Sequence, residues 1–259
     1  MVGADLRNLV NEAALQAARR GADAVHQVDF QDALEKLILG PARELLLSDD
    51  ERERVAYHEG GHTILGLVVR GADPVNRVTI IPRGQALGVT YQRPEADRHN
   101  YHEGYLRARI TGALGGRAAE EVVYGSRTTG SESDMEQATS LARQMVTRWG
   151  MSEALGPVTL ASRDNQFLPG QGGFGTQGGA GLSEATSQLV DGEVRRILDE
   201  CYDDAVRLLR EHRRQLEVLA QALIQHETLD EQEILTVTGL PSAPHLETMP
   251  IPAGRNGTA

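Results

Sequence analysis

The pentapeptide at residues 58–62 constrains this chain more than any other feature. It reads His-Glu-Gly-Gly-His, with His58 and His62 at its two ends. Residues four apart lie one above the other on the same face of an α-helix, so both imidazoles can bind a single metal ion. Glu59 then lies beside that ion, where its carboxylate can take a proton from a metal-activated water. The spacing therefore predicts a helix that carries a zinc-peptidase site.

The flanking sequence supports a helix with both histidines on its buried side. A stripe of residues recurs at steps of three and four positions: Val55, His58, His62, Leu65 and Val69. Ser48 and Glu51 have the spacing of a capping box, which places the helix start near Asp49. Glycine costs about 1 kcal/mol relative to alanine inside a helix, so Gly60 and Gly61 indicate close packing or a required geometry. This pattern disfavours the alternative of a chance cluster on a surface helix.

The rest of the sequence predicts a mainly α chain with a small β-hairpin or sheet. Apolar periodicity predicts helices over Asp5–Arg20, Asp29–Leu39, His102–Val123, Ser183–Glu211 and Arg213–Gln225. Capping residues predict two more: one that starts with a capping box of Ser133 and Glu136, and a short last one capped by Thr228 and Glu231. β-Branched residues between Pro74 and Pro82, followed after a turn by residues 87–92, indicate the strands. The glycine-rich segment 169–181 is predicted to be a mobile loop, because it has too few apolar residues to pack.

Composition argues against several other classes of protein. The 259 residues include one cysteine, Cys201, so no intrachain disulfide can form and a reducing compartment is the simpler expectation. The formal net charge of -11 disfavours nucleic acid as a partner, because phosphate binding needs a basic surface. No apolar run approaches the roughly 20 residues that cross a bilayer, so we expect this stretch of chain to be soluble.

A catalytic zinc ion needs a third protein ligand besides the two histidines, with one position left for water. The downstream candidates are Asp134, Glu120, Glu121, Glu132 and His102. Spacing does not choose among them, because loops bring ligands together in space. For a carboxylate such as Glu120 or Glu121, a charged helix surface is the simpler interpretation.

Several separate motifs resemble the FtsH family of ATP-dependent membrane zinc proteases. They are Gly3–Leu15, Ala56–His62, Asp73–Gly84, Ala86–Thr90, Gly115–Glu121 and Ser133–Thr139, in the family's order and extending to about Ile234. The resemblance implies that Asp134, at the start of its helix, is the third zinc ligand. One departure is Gly60, where the family usually has alanine, a change expected to loosen the helix without removing a ligand.

The resemblance also implies a larger protein. Family members carry a membrane anchor and an AAA+ ATPase module ahead of the protease, and Gly3 to about Leu39 resembles the last part of that module, its lid. The implied domains are residues 1–40 for the end of the AAA+ small helical domain, 41–239 for the zinc metalloprotease, and 240–259 for a disordered tail. The chain is expected to be a C-terminal fragment that uses ATP only through a module absent here. The implied partners are polypeptide substrates and five further copies in a homohexamer, held at the cytoplasmic face of a membrane by an absent N-terminal anchor.

These residues suggest specific roles. Zinc on His58, His62 and Asp134 would polarise the scissile carbonyl, while Glu59 acts as base and then as acid. An extended substrate is expected to pair as an added strand with the main chain of Gly88, Val89, Thr90 and Tyr91. Glu120 is a candidate for hydrogen bonding to a ligand histidine, with a core or surface role equally open.

Two other functions fit part of the pattern. A non-catalytic hexameric interaction module would keep the fold but lose the chemistry, and the intact pentapeptide at 58–62 argues against it. A freestanding metallopeptidase that needs no unfoldase is disfavoured by the lid-like N-terminal segment.

Overall fold

The mainly helical architecture with a small sheet is confirmed. The computed structural model describes residues 2–41, 43, 45, 47–84, 86–93, 100–160 and 182–242. In these ranges the helices are α1 (Gly3–Arg19), α2 (Gln27–Leu39), α3 (Asp49–Val68), α4 (Glu103–Ala113), α5 (Gly115–Tyr124), α6 (Glu132–Thr147), α7 (Glu184–Glu211), α8 (Arg213–His226) and α9 (Glu231–Thr238). The strands are β1 (Val75–Thr79), β2 (Val89–Gln92) and β3 (Thr228–Asp230), paired antiparallel in the order β2-β1-β3.

Helix α3 begins at the residue that the sequence indicates, because its first turn is capped in both directions. The Glu51 backbone N–H donates to Ser48 Oγ, and the Ser48 backbone N–H donates to Glu51 Oε2 at 2.9 Å. Three acidic residues in that turn also face the positive end of the helix dipole. The pentapeptide 58–62 therefore lies in the middle of a well-anchored helix.

Two hydrophobic cores hold the helices that surround the pentapeptide. The first core joins α3, the sheet and α8, with Ile64, Leu65, Val78, Leu216 and Leu219 among its buried side chains. The second core joins α4, α6 and α7, with Tyr105, Leu106, Ile110, Met145 and Ile197 buried in it. Helix α5 packs against both α3 and α7, and its buried Ala118 and Ala119 belong to the first core.

The single helix predicted over His102–Val123 is wrong, because the structure divides it at Leu114. Helix α4 ends at Ala113, and α5 begins at Gly115. Glycines at 112, 115 and 116 weaken a continuous helix. The break brings Gly115 against the backbone of α3, where an ideal Cβ on Gly115 would lie 3.0 Å from the carbonyl carbon of Gly61.

Two predicted caps are also wrong. Helix α6 begins at Glu132, directly after a 3-10 turn over Thr129–Ser131, so Ser133 lies inside the helix and does not cap it. Helix α9 is capped by Asp230 and Glu233, since Thr228 belongs to β3 and forms a 2.8 Å hydrogen bond to Thr79. A three-residue strand is too short to produce a recognisable alternation in the sequence.

The glycine-rich segment 169–181 and most of the predicted tail lie outside the described residues, so those predictions stand as made. Among the described helices, none is both long enough and apolar enough to cross a membrane.

Candidate metal centre

His58, His62 and Asp134 meet at one point in the structure. Asp134 Oδ2 lies 3.2 Å from His58 Nε2 and 3.4 Å from His62 Nε2. One ligand atom from each of the three residues lies within 4.8 Å of the others, close enough for one metal ion. In the described part of the chain, the other candidates for a third ligand do not belong to such a group. Asp134 comes from the first turn of α6, so folding brings it to the α3 histidines.

The second nitrogen of each histidine faces a hydrogen-bond acceptor. His58 Nδ1 lies 3.0 Å from Glu120 Oε1, and His62 Nδ1 lies 2.8 Å from the carbonyl oxygen of Gly112. A proton on Nδ1 satisfies each acceptor and leaves the Nε2 lone pair directed towards Asp134. Two imidazole nitrogens and a carboxylate oxygen are a ligand set typical of catalytic zinc, so these residues fit that ion.

The histidine and aspartate side chains form a charged network with Glu120. Burial favours the neutral form of His58, but hydrogen bonds to Asp134 and Glu120 outweigh it and raise the pKa of His58 to about 10. Burial likewise opposes ionisation of Asp134, yet its hydrogen bonds to His58 and His62 hold the pKa of Asp134 well below its usual value. The surroundings of these ligands therefore favour a positive charge between them, which suits a dication.

Glu120 anchors His58 from behind. The carboxylate of Glu120 is 2% exposed, and it accepts hydrogen bonds from Thr128 Oγ1 at 3.1 Å and Arg54 Nη1 at 3.3 Å. Burial raises the pKa of Glu120, but the hydrogen bonds from His58 and Thr128 lower it below its usual value overall. Arg54 is itself held over the ring of Tyr124, 4.3 Å from the centroid. Glu120 is thus a charged acceptor that fixes the orientation of the His58 ring.

Glu59 lies beside the ligands with its carboxylate against β2. It is 6% exposed and accepts a hydrogen bond from Thr90 Oγ1 at 2.8 Å. Burial raises the pKa of Glu59, and the neighbouring His62 and His58 only partly oppose the increase. A carboxylate with a raised pKa is a better proton acceptor near neutral pH.

Glycines make room for these side chains. An ideal Cβ on Gly116 would lie 2.2 Å from His58 Nε2, and one on Gly88 would lie 2.7 Å from Glu59 Cγ. Neither glycine has a positive φ angle, so both are required by space and not by backbone conformation. Gly116 was not predicted as a site residue. Its only sequence signal is a pair of glycines that interrupts a helical pattern.

The four residues predicted to bind substrate are all half-buried. Gly88 and Thr90 lie against Glu59, and β2 pairs with β1 through Val89, Thr90 and Tyr91. In the sheet formed by the described strands, β2 is an edge strand. An edge strand can receive an extended peptide, so the arrangement is compatible with the predicted docking.

Comparisons with known sequences agree with this site. A family model for peptidase family M41 matches residues 45–237, which is most of the chain. The chain belongs to peptidase family M41. A second model, for an AAA+ lid domain, matches residues 1–32. The M41 match includes all three candidate ligands and Glu59.

Curated relatives carry the same family name that the sequence motifs suggested. A Syntrophus aciditrophicus protein named "ATP-dependent zinc metalloprotease FtsH" is 63% identical over 99% of this chain and 35% of its own length. Proteins from Thermobaculum terrenum and Conexibacter woesei, named "ATP-dependent zinc metalloprotease FtsH" and "ATP-dependent zinc metalloprotease FtsH 3", are 58% and 56% identical over 93% of the chain. The chain spans 37% and 31% of those two proteins, so it corresponds to about a third of each relative.

Proposed function

We propose that this chain is a zinc-dependent endopeptidase that degrades unfolded or membrane proteins. The observation that supports this most directly is the convergence of His58, His62 and Asp134, with Glu59 between the two histidines in sequence. The names of the relatives, which specify zinc metalloproteases, support the same activity.

Each residue of the site has a distinct part in this proposal. Zinc, when bound, supplies Lewis acidity to a water and to the scissile carbonyl. His58, His62 and Asp134 would hold the ion, and Glu120 keeps His58 in the tautomer that can bind it. Glu59 accepts the proton of the attacking water and later donates it to the leaving amine.

Substrate binding along β2 forms a second part of the proposal. An extended peptide would pair with the edge strand formed by Gly88, Val89, Thr90 and Tyr91 through main-chain hydrogen bonds. Such pairing depends little on side chains, so it suits an enzyme that cuts many different unfolded proteins.

We further propose that the chain works within a longer, ATP-dependent protease. The AAA+ lid match at residues 1–32 and the names of the relatives support this view. In that protein, six copies would form a ring, ATP would act through the ATPase module, and an N-terminal anchor would hold the ring at the cytoplasmic face of a membrane. The domain division at residues 40 and 239 belongs to the same proposal.

Two substitutions separate the base from the ligands. Glu59→Gln keeps the size of the side chain, so it should retain zinc while cutting an unfolded protein such as casein at least ~100-fold more slowly. Asp134→Ala removes a charged ligand and should lower zinc occupancy and activity together. Zinc content by atomic absorption and casein cleavage should be measured on the same samples.

A matched control for Asp134 lies two residues earlier on the same turn of α6. Glu132 is exposed and outside the ligand group, so Glu132→Ala should leave both zinc content and cleavage unchanged. Substantial cleavage by zinc-loaded Glu59→Gln would refute the assigned base. A non-catalytic hexameric module would instead show six copies by light scattering and no zinc-dependent cleavage by the wild-type chain.

A further inference from the structure

The hydroxyl group of Thr90 lies among three oxygen atoms at the site. Its Oγ1 lies 2.8 Å from Glu59 Oε2, 3.2 Å from the Glu59 main-chain oxygen and 3.4 Å from Thr63 Oγ1. A threonine hydroxyl carries one proton, so it can donate one strong hydrogen bond. Which oxygen receives that proton decides what Thr90 does.

The neighbouring groups assign the Thr90 proton to the carboxylate. Thr63 Oγ1 donates to the Glu59 main-chain oxygen at 2.9 Å, so that oxygen already has a side-chain donor. Thr63 is buried, and its single proton is used in this bond. Glu59 Oε2 is both the closest acceptor to Thr90 and the charged one, and hydrogen bonds to charged acceptors are the stronger kind.

The other carboxylate oxygen of Glu59 has a different environment. Among the described residues, Thr90 is the side chain that donates to this carboxylate, and its bond falls on Oε2. Oε1 lies against Gly88, 2.9 Å from the place where a Cβ would be. The absence of a side chain at residue 88 keeps that space open, so the two oxygens are not equivalent.

We propose that Thr90 is a positioning residue for the base: it fixes Oε2 of Glu59 and leaves Oε1 as the oxygen that accepts and returns the proton. The assignment rests on the peptidase function proposed above and deepens it. Thr90 does not exchange a proton with substrate, since its own proton stays in the bond to Oε2.

The location of Thr90 on β2 links the base to the substrate strand. Thr90 pairs with Val78 in the sheet, so its backbone is fixed by β1 while its side chain reaches α3. A peptide added to β2 would therefore be aligned by the same residue that orients Glu59. A single residue, Thr90, then sets the position of the scissile bond relative to Glu59.

Three variants of the full 259-residue chain test the proposal. Thr90→Val keeps the shape of the side chain and removes the hydroxyl, Thr90→Ser keeps the hydroxyl, and Thr238→Val is a control at a buried threonine outside the site, at the end of α9. Loss of a hydrogen bond to a charged group corresponds to a rate change of roughly 10- to 100-fold. Thr90→Val should lower kcat by about that factor on an unstructured fluorogenic peptide, with KM within about 2-fold and zinc content unchanged. Thr90→Ser and Thr238→Val should keep kcat within about 3-fold of wild type.

A structural measurement makes the result independent of turnover. Crystal structures of the zinc-loaded wild type, Thr90→Val and Thr90→Ser should show the Glu59 carboxylate ordered in the first and third and displaced or disordered in the second. The proposal is overturned if the carboxylate keeps its position in Thr90→Val, if kcat of Thr90→Val is unchanged, or if Thr90→Ser is impaired equally. If the wild type binds zinc but cuts no peptide, the proposed function fails, and the three carboxylate positions still decide the role of Thr90.

Discussion

Replacing Gly61 by alanine should force helices α3 and α5 apart, whereas the same replacement at Gly60 should be tolerated. An ideal Cβ on Gly61 would lie 2.4 Å from the backbone oxygen of Gly115 and 2.7 Å from Ala119 Cβ. A Cβ on Gly60 would instead lie 3.0 Å from Leu216 Cδ1, the end of a flexible side chain. The first clash is relieved only by moving a helix backbone, and the second by a small rotation of the Leu216 side chain.

The size of each effect follows from two opposing contributions. Alanine is favoured over glycine by about 1 kcal/mol within a helix, and both variants receive this benefit. Overpacking a core costs about 1–3 kcal/mol, and a backbone clash places Gly61→Ala at the upper end of that range. Gly61→Ala should therefore lose about 2 kcal/mol of folding free energy, while Gly60→Ala should be near neutral because a cost of about 1 kcal/mol is offset. For a chain of this size, these values correspond to a fall in Tm of roughly 4–8 °C for Gly61→Ala and a change within about 2 °C for Gly60→Ala.

Thermal unfolding followed by circular dichroism, with zinc present in excess, measures both values. Zinc affinity should fall only for Gly61→Ala, because α5 carries Gly116, which contacts His58, and the last turn of α4 carries Gly112, which contacts His62. Equal Tm values for Gly61→Ala and wild type would refute the close approach of α3 and α5. A loss at Gly60 as large as that at Gly61 would refute the distinction between a yielding side chain and a fixed backbone.

Three further predictions concern the ligands and the substrate strand. Glu120→Gln should weaken zinc binding about 10- to 100-fold in a competition with a chelator, whereas Glu121→Gln, which changes a carboxylate bonded to Tyr202 and Arg127, should leave the affinity unchanged. In the metal-free protein, the raised pKa of His58 stabilises the fold fully below about pH 6.5 and no longer does so once the pH has risen through about 10. The Tm of the metal-free protein should therefore fall over that interval, while the Tm of the zinc-loaded protein stays constant. A parallel dependence of the two Tm values on pH would contradict this account. Val89→Pro removes a backbone hydrogen-bond donor from β2 and should weaken cleavage of unfolded protein at unchanged zinc content. The control Val89→Ala keeps the donor and should cleave at the wild-type rate. Unchanged cleavage by the proline variant would mean that the substrate binds elsewhere.

The parts of this fold that the sequence predicts are the ones decided within a few residues. The Ser48 and Glu51 cap, the two histidines one turn apart and the bounds of the long helices all depend on neighbours along the chain. The sequence does not predict the break at Leu114 or the strand at Thr228, because each depends on a distant partner. The partner is Gly61 for the break and Thr79 for the strand. The apolar pattern continues through Leu114, and the glycines at 112, 115 and 116 weaken the helix there without marking the residue at which it ends.

The candidate site shows the same division. His58, Glu59 and His62 follow from their spacing, but residue chemistry alone left five candidates for the third ligand. Asp134 was distinguished by the resemblance to a family, and the structure then placed it 3.2 Å from His58 Nε2. Gly116 was missed because a position that has no room for a side chain carries no chemical signal in a single sequence.

His58 and Asp134 lie 76 residues apart in the chain, on helices that contribute to different hydrophobic cores. His58 and His62 lie on α3, whose Ile64 and Leu65 belong to the first core, while Asp134 lies in the first turn of α6, which carries Ala138, Ala142 and Met145 into the second. An ion bound by all three is then a cross-link between two halves of the fold, and its binding free energy adds to their cohesion. Chelation should therefore loosen the contact between α3 and the start of α6, while α7, which contributes buried residues to both cores, still joins them.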